Sequence, residues 1–157
     1  MFSKFLIEEK YYLYSAVVIT NPSRTFFYLQ QKDEGYQIES FRLSYCFFGG
    51  RIEEGEEEKD SLRRELFEEL ESIAADLVFK NSKRLFYDCF TNILGRKCRF
   101  LLYESVISDK NLEEISTLPV KEGKRGFLCK REELLIIPFI SDLKNTRRRY
   151  LKFIENY

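Results

Sequence analysis

Three glutamates in the first half of the chain stand at spacings that suit metal chemistry. Glu65, Glu68 and Glu69 occupy positions i, i+3 and i+4, so on a helix, which turns by about 100° per residue, their side chains share one face. Carboxylates crowded in this way repel each other unless water or a cation neutralises them. Because all-oxygen ligands suit hard ions such as Mg²⁺ or Mn²⁺, the spacing predicts a divalent metal site. The alternative is a solvated acidic helix face.

The residues around these glutamates carry a longer pattern. Positions 50–73 read GRIEEGEEEKDSLRRELFEELESI, which resembles the signature of the Nudix hydrolase family, Gly-x5-Glu-x7-Arg-Glu-U-x-Glu-Glu-x-Gly-U, where U is a bulky aliphatic residue. The matching residues are Gly50, Glu56, Arg64, Glu65, Leu66, Glu68 and Glu69. Glu71 and Ser72 replace the glycine and the last aliphatic residue of the motif, and Phe48 replaces the usual proline before the glycine pair. Since no charged residue is lost, the matches favour the family over a chance Glu-rich helix.

The resemblance implies a role for each matching residue. The three glutamates would ligate or hydrogen-bond the metal, and the backbone carbonyl of Gly49 would supply a further oxygen. Arg64 would neutralise and orient the carboxylates. Glu56 would hold the loop and the helix in register, or bind metal through water.

The resemblance also implies a carboxylate outside this segment, from the loop before the last strand. Glu122 is the best candidate, because Gly123 and Gly126 give the backbone freedom to bring it over the metal. Weaker candidates are Glu104, Glu113 and Glu114. We expect Glu122 to act as a metal ligand and general base, with a solvated loop residue as the alternative.

Composition excludes several other kinds of site. The chain has no His, so Ser-His and Cys-His nucleophilic catalysis are excluded. Lys plus Arg and Asp plus Glu number 26 each, so net charge gives no reason to expect affinity for nucleic acid or membranes. The four cysteines form no CxxC pair and are expected to be reduced core thiols of a cytoplasmic protein. They are Cys46, Cys89, Cys98 and Cys129.

Two further features indicate a protein that is neither exported nor membrane-bound. Lys4, Glu8 and Glu9 interrupt any apolar signal-peptide core. No apolar run approaches the roughly 20 residues that a membrane helix needs.

The alternation of elements, without a repeat or a linker, predicts one α/β domain over residues 1–157. Strands are predicted at 11–20, 24–31, 44–48, 84–90, 98–107 and 127–129, with a glycine pair ending the third. Helices are predicted at 59–75 and 142–157, and 108–126 reads as a long charged connection. Mixed strands with helices after the third strand and at the end fit an α/β/α sandwich around a mixed sheet, and the Nudix resemblance implies the same fold.

Both predicted helices carry an apolar stripe. In the first it comprises Leu62, Leu66, Leu70 and Ile73, and it should pack on the sheet. In the second it comprises Leu143, Tyr150, Leu151, Ile154 and Tyr157. The three glutamates lie about 100° from the first stripe, at the edge of the packed interface.

The predicted reaction is Mg²⁺- or Mn²⁺-dependent hydrolysis of a phosphoanhydride, in a nucleoside diphosphate linked to another moiety X or in a nucleoside triphosphate. Loops 32–43 and 108–126 are expected to set selectivity, and Lys32 and Arg125 could meet substrate phosphates. One alternative is an RNA 5′-end hydrolase, which would use the basic stretch 144–152. The other is a non-catalytic nucleotide-sensing module. Oligomeric state is left open, and a homodimer is compatible with the sequence.

Overall fold

The computed structural model describes residues 10–157, so the charged segment with Lys4, Glu8 and Glu9 lies outside the described residues. Seven strands of the described chain form one mixed sheet. They are β1 (Tyr12–Thr20), β2 (Phe26–Gln31), β3 (Tyr45–Cys46), β4 (Phe48–Arg51), β5 (Ser82–Thr91), β6 (Lys97–Val106) and β7 (Arg125–Lys130). The α-helices are α1 (Glu58–Glu69), α2 (Ser72–Lys80), α3 (Asp109–Ser116), α4 (Arg131–Leu134) and α5 (Lys144–Phe153).

Strand β1 organises the sheet. It pairs in parallel with β6 along its whole length, and its two halves take different antiparallel partners on the other edge. The first half pairs with β4, from Tyr14 opposite Arg51 to Val17 opposite Phe48, and the end pairs with β2. Strand β4, which carries Gly49 and Gly50, therefore lies beside the central strand of the sheet.

The alternation of side chains along β1 builds a core on each face. Val17 and Ile19 pack with buried residues of α1, α2 and α3, whereas Ala16 and Val18 pack with buried residues of α5. Helices thus cover both faces of a mixed sheet, and the predicted α/β/α sandwich is confirmed.

The strand predicted at 44–48 is two strands. Tyr45 and Cys46 pair with β2, after which the chain crosses over and residues 48–51 pair with β1. The predicted strand end at the glycine pair is wrong, because Gly49 and Gly50 are themselves ladder residues opposite Ala16 and Ser15.

The helix predicted at 59–75 is divided. Helix α1 ends at Glu69, Leu70 is extended with φ −119° and ψ 157°, and α2 begins at Ser72. Leu62, Leu66 and Leu70 are buried as expected, but Ile73 is 74% exposed, because the break rotates α2 away from the predicted stripe.

Two other segments differ from the sequence prediction. The 108–126 connection contains α3, which Ser108 caps by accepting a hydrogen bond from the Asn111 backbone at 3.1 Å. The last helix is shorter than 142–157, because a 3-10 turn at Ser141–Leu143 precedes α5. Tyr157 lies beyond the helix and is 59% exposed, so its assignment to the buried stripe is wrong.

The free thiols of Cys46, Cys98 and Cys129 are buried, whereas Cys89 is exposed. The prediction of four core thiols is therefore wrong for Cys89, which lies on β5 at the edge of the sheet. Between residues 10 and 157, no helix is long and apolar enough to cross a membrane.

Candidate active site

Glu69, the last residue of α1, is the most deeply buried of the three glutamates. It is 1% exposed, and each of its carboxylate oxygens accepts one hydrogen bond. The Gly49 backbone N–H donates to Oε1 at 2.8 Å, and Gln30 Nε2 donates to Oε2 at 2.6 Å. Burial raises the pKa of Glu69 to about 8, although Lys32 and the Gly49 amide act in the opposite direction. A cation next to this carboxylate would therefore stabilise its ionised form.

The two glycines of β4 permit this close approach. Gly49 has φ +147°, and a Cβ there would lie 2.2 Å from the Ser15 carbonyl oxygen. A Cβ on Gly50 would lie 2.4 Å from the carboxylate carbon of Glu65. A side chain at Gly49 would collide with the backbone of β1, which cannot give way by that distance, and a side chain at Gly50 would displace the Glu65 carboxylate.

Arg64 holds together the other carboxylates of the signature segment at positions 50–73, here called the box. Its Nε and Nη2 donate to Glu56 at 2.8 and 3.0 Å, and Nη1 donates to Glu65 at 3.0 Å and to Glu68 at 3.3 Å. Nη2 also donates to the Arg51 carbonyl oxygen at 3.0 Å. One guanidinium thereby joins the loop before α1, the helix and β4, and its hydrogen bonds fix the orientation of the carboxylates that it contacts.

This network shifts the titration of its members in opposite directions. Hydrogen bonds from Arg64 lower the pKa of Glu56 to about 2. Burial raises the pKa of Glu65, and contact with Arg64 only partly offsets it. Glu65 is 14% exposed and Glu68 is 48% exposed at the side chain, so shielding from water increases from Glu68 to Glu65 to Glu69.

The break after α1 brings Glu122 to the site. Leu70 forms an isolated antiparallel bridge with Val120, and the Lys121 backbone N–H donates to the Glu69 carbonyl oxygen at 2.8 Å. Glu122 is exposed, and its charge contributes to the raised pKa values of Glu65 and Glu69. The loop therefore brings Glu122 close enough for its charge to act on Glu65 and Glu69, and its role as ligand or base stays a prediction.

The oxygen ligands available here fit a hard cation, although the carboxylates now accept hydrogen bonds from groups of the protein. Glu65, Glu68 and Glu69 with the Gly49 carbonyl are all-oxygen donors. In the described part of the chain, no three acidic or thiol side chains are grouped closely enough to hold an ion, because Arg64 engages Glu65 and Glu68 while Glu69 accepts from backbone and amide. A bound ion would balance the negative charge of Glu65 and Glu68, which Arg64 Nη1 now balances. It would also stabilise the ionised form of Glu69.

A cleft of about 210 Å³ lies on the α5 side of the sheet, with Lys32 and the glycine pair Gly49 and Gly50 in its wall. Aromatic rings dominate it, from Tyr14, Tyr36, Phe41, Phe47, Phe90 and Phe100. Asn92, Arg96 and Asp142 supply polar groups, and the Ile93 backbone N–H donates to Asp142 Oδ1 at 3.0 Å. Such a cleft suits a planar ring with a few polar edges.

Lys32 lies where the cleft meets the carboxylates. Its Nζ donates to Gln30 Oε1 at 2.8 Å and sits 4.8 Å above the Tyr36 ring. Burial works to lower the pKa of Lys32, but neighbouring groups including Glu69 outweigh it and the pKa is raised. The ammonium therefore stays charged, in a position to meet an anion in the cleft.

The weaker sequence candidates lie elsewhere or are already engaged. Glu104 is buried and paired with Arg24 at 2.9 Å, and Tyr150 donates to it at 2.6 Å. Glu113 and Glu114 lie on α3, exposed to solvent. Arg125 donates to the Gln31 side chain and to the Tyr45 hydroxyl, at 2.9 and 2.8 Å, so it fastens β7 to β2 and β3.

Sequence reasoning missed two parts of the site. Gln30 is fully buried and contacts Glu69, and the turn at 92–96 lines the cleft in place of the 108–126 segment. A polar residue inside the apolar run FFYLQQ was the available signal for Gln30, since a buried amide needs partners. No spacing in the sequence pointed to the turn.

Comparison with known proteins identifies a family and similar folds. A family model described as NUDIX domain matches residues 11–149. Among solved structures, a MutT protein from Methanosarcina mazei Go1 is similar, with a TM-score of 0.68, 15% identity and coverage of 96% of this chain and 99% of that chain. The E. coli ORF135 protein gives a TM-score of 0.66 at 17% identity, covering 96% of both chains.

A C. elegans Ap4A hydrolase gives a TM-score of 0.62 at 15% identity, covering 92% of this chain and 99% of that chain. At such identities the likeness shows the fold alone. No curated protein matches the chain.

Proposed function

The chain belongs to the NUDIX domain family, and from this premise we propose that it is a Mg²⁺- or Mn²⁺-dependent pyrophosphohydrolase. Its substrate would be a nucleoside diphosphate linked to another moiety X, or a nucleoside triphosphate. Residues 1–157 would form one Nudix domain, and the products from a linked substrate would be a nucleoside monophosphate and phosphorylated X.

The observation that carries the proposal is the buried Glu69 carboxylate beside Gly49, at the wall of an aromatic cleft. Burial has raised the pKa of this group, and its hydrogen-bond donors are uncharged, since Lys32 bonds to Gln30 and Gln30 donates to Glu69. A divalent ion would neutralise it, and the same ion would attract a polyphosphate whose nucleoside occupies the cleft.

The proposed roles follow from position. The chemistry supplied by bound Mg²⁺ or Mn²⁺ is neutralisation of charge on phosphate oxygens and acidification of water. Glu65, Glu68, Glu69 and the Gly49 carbonyl would hold the ion. Arg64 would keep the carboxylates oriented through its contacts with them and with Glu56.

Two flanking residues complete the proposal. Glu122 would accept the proton of the attacking water, since it is exposed and lies on the loop that pairs with the end of α1. Lys32 would contact a phosphate oxygen of the substrate, because its ammonium faces the cleft beside the box.

The alternatives gain no support from specific contacts. An RNA-directed activity would need free cations on 144–152, and two of them are engaged, because Arg147 donates to the Leu134 and Ile137 carbonyls at 3.1 Å and Arg149 bonds to Asp88. A nucleotide sensor without catalysis has no need for a complete set of box carboxylates, and all are present. We also propose a cytoplasmic location, in keeping with the buried free thiols.

The test is a substrate panel with products resolved by mass. It contains nucleotide sugars, ADP-ribose, dinucleoside polyphosphates, nucleoside triphosphates and capped RNA, each with Mg²⁺ and with chelator. We expect cleavage of a phosphoanhydride in at least one of the nucleotide classes, lost with chelator and in a Glu69→Gln variant. Cleavage of capped RNA alone would favour the RNA alternative, and absence of any cleavage would contradict the proposal.

A further inference from the structure

Gln30 on β2 stands at the junction of every part of the candidate site. It is fully buried, and its Nε2 donates to Glu69 Oε2 at 2.6 Å and, more weakly, to the Glu122 carbonyl oxygen at 3.4 Å. Its Oε1 accepts from Lys32 Nζ at 2.8 Å and from the Cys46 thiol at 3.6 Å. One amide therefore contacts the end of α1, the Glu122 loop and the wall of the cleft.

The chemistry of the partners fixes the orientation of this amide. The Lys32 ammonium can only donate, so Oε1 must face Lys32 and the NH₂ group must face Glu69. Turning the amide round would set two donors against each other and leave Glu69 short of a partner. Burial makes such a mismatch costly, so Glu69 is held in one rotamer.

The contacts leave the Glu69 carboxylate able to bind more. The Gly49 amide takes one oxygen and Gln30 takes the other, and each oxygen retains a second lone pair. Gly49 and Gln30 thereby hold the carboxylate from the side of the sheet, and one lone pair on each oxygen remains for a cation.

We propose that Gln30 is a positioning residue for the metal site. It orients Glu69 and anchors the backbone at Glu122, so that the two carboxylates are placed relative to each other before ion or substrate binds. The inference rests on the proposed function, because it takes Glu69 as a metal ligand. Gln30 does more than fill space in the core, because this role requires the N–H group that it donates to Glu69.

The next residue on the same strand offers a matched control. Gln31 is also buried, and its amide donates to the Leu43 carbonyl and accepts from Arg125, both at 2.9 Å. It has no contact with the box. Gln30→Met and Gln31→Met each exchange an amide for an unbranched apolar side chain of similar length, so both should lose stability, and only the first should affect the metal site.

The measurements are calorimetric titration of the substrate-free protein with Mn²⁺, thermal unfolding without metal, and kcat and KM on the best substrate of the panel. We expect Gln30→Met to weaken Mn²⁺ binding by about 10–100-fold and to lower kcat with little change in KM. Gln31→Met should retain the wild-type Mn²⁺ affinity and kcat.

The outcomes separate this inference from the proposed function. If the wild type binds Mn²⁺ and cleaves a substrate while the two variants bind Mn²⁺ equally well, the positioning role is overturned and the proposed function stands. If the wild type neither binds Mn²⁺ nor cleaves a substrate, both are overturned. Should Gln30→Met fail to fold, Gln30→Asn keeps the amide but is one methylene too short to reach Glu69, and the same loss of Mn²⁺ affinity is expected.

Discussion

At the scale of single residues, the negative charges of the box glutamates are stabilised in two different ways. Glu56, Glu65 and Glu68 share the charge of Arg64, whereas the Glu69 side chain is held by two uncharged N–H donors. The motif implied the same role for Glu65, Glu68 and Glu69. Their different partners depend on the fold, so substitutions that look equivalent in the sequence should have different effects.

A Glu69→Gln variant should be destabilised as well as inactive. The new carboxamide can accept from only one of its two donors, and its NH₂ then faces the other. Gln30 cannot turn to accept, because Lys32 holds its oxygen. The spacing alone predicts slight stabilisation from relieved repulsion, and burial of the charge, which raises the pKa of Glu69 to about 8, acts in the same direction above that pH. At pH 6, where the wild-type side chain is largely protonated, we expect the mismatch to cost about 1–3 kcal/mol of unfolding free energy without metal.

Urea unfolding and turnover test this expectation. Glu68→Gln is the control, since its side chain is 48% exposed and its unfolding free energy should barely change. A Glu69→Gln protein as stable as the wild type would show that the two hydrogen bonds contribute little.

The Glu56–Arg64 pair predicts sensitivity to acid. Because contact with Arg64 lowers the pKa of Glu56 from 4.5 to about 2, the pair stabilises the fold above pH 4.5, and this contribution is lost as pH falls through the folded-state value. Glu56→Gln should be less stable than the wild type at pH 7, and the difference should shrink between pH 4.5 and about 2. Urea unfolding of both proteins at a series of pH values measures this difference in stability. A difference that does not vary with pH would contradict the prediction.

At the scale of elements, α1 shows what the sequence could and could not predict. Its start and its buried positions at Leu62, Leu66 and Leu70 follow from periodicity. Its end does not, because the chain leaves the helix to pair Leu70 with Val120, some fifty positions further on. Local propensity carries no information about such a partner, and the same non-local bridge is what brings Glu122 to the site.

The corrected helix boundary gives a stability prediction. Leu66 is fully buried under the sheet, so Leu66→Ala should cost about 2–5 kcal/mol of unfolding free energy. Ile73→Ala, at a site 74% exposed, should stay within about 0.5 kcal/mol of the wild type. Equal losses in chemical denaturation would mean that α1 and α2 form the continuous helix that the periodicity predicted.

The Glu122 loop gives a prediction about catalysis. Glu122→Gln should lower kcat by about 10²–10⁴-fold if the carboxylate is the general base, and Mn²⁺ affinity should change little because the box glutamates hold the ion. Glu113→Gln, also exposed and on α3, should have no effect. Near-native turnover of Glu122→Gln across the pH range would transfer the base role to Glu65 or Glu68.

At the scale of the whole molecule, the sandwich was predictable and the cleft was not. Alternation along β1 and the stripe on α5 are local patterns that require a sheet covered on both faces. The cleft instead combines Lys32, the turn at 92–96 and the segment at 140–143. These lie in three separate parts of the sequence. They meet because β6 pairs in parallel with β1 and because the last segment follows a bridge between Phe139 and Tyr45.

The whole fold should also respond to metal. An ion that binds only the folded state stabilises it in proportion to ln(1 + [L]/Kd), about 2.7 kcal/mol at a hundredfold excess over Kd. Since the site joins α1, β4 and the Glu122 loop across one face of the sheet, we expect Mg²⁺ or Mn²⁺ to raise the Tm of the wild-type protein progressively with concentration.

The rise should be smaller in Glu69→Gln and absent with NaCl at matched ionic strength, because screening alone does not fill the site. Exhaustive chelation should abolish turnover together with the gain in Tm. Activity that survives chelation would exclude a metal-dependent reaction, whereas a gain in Tm that persists in Glu69→Gln would place the ion away from the box.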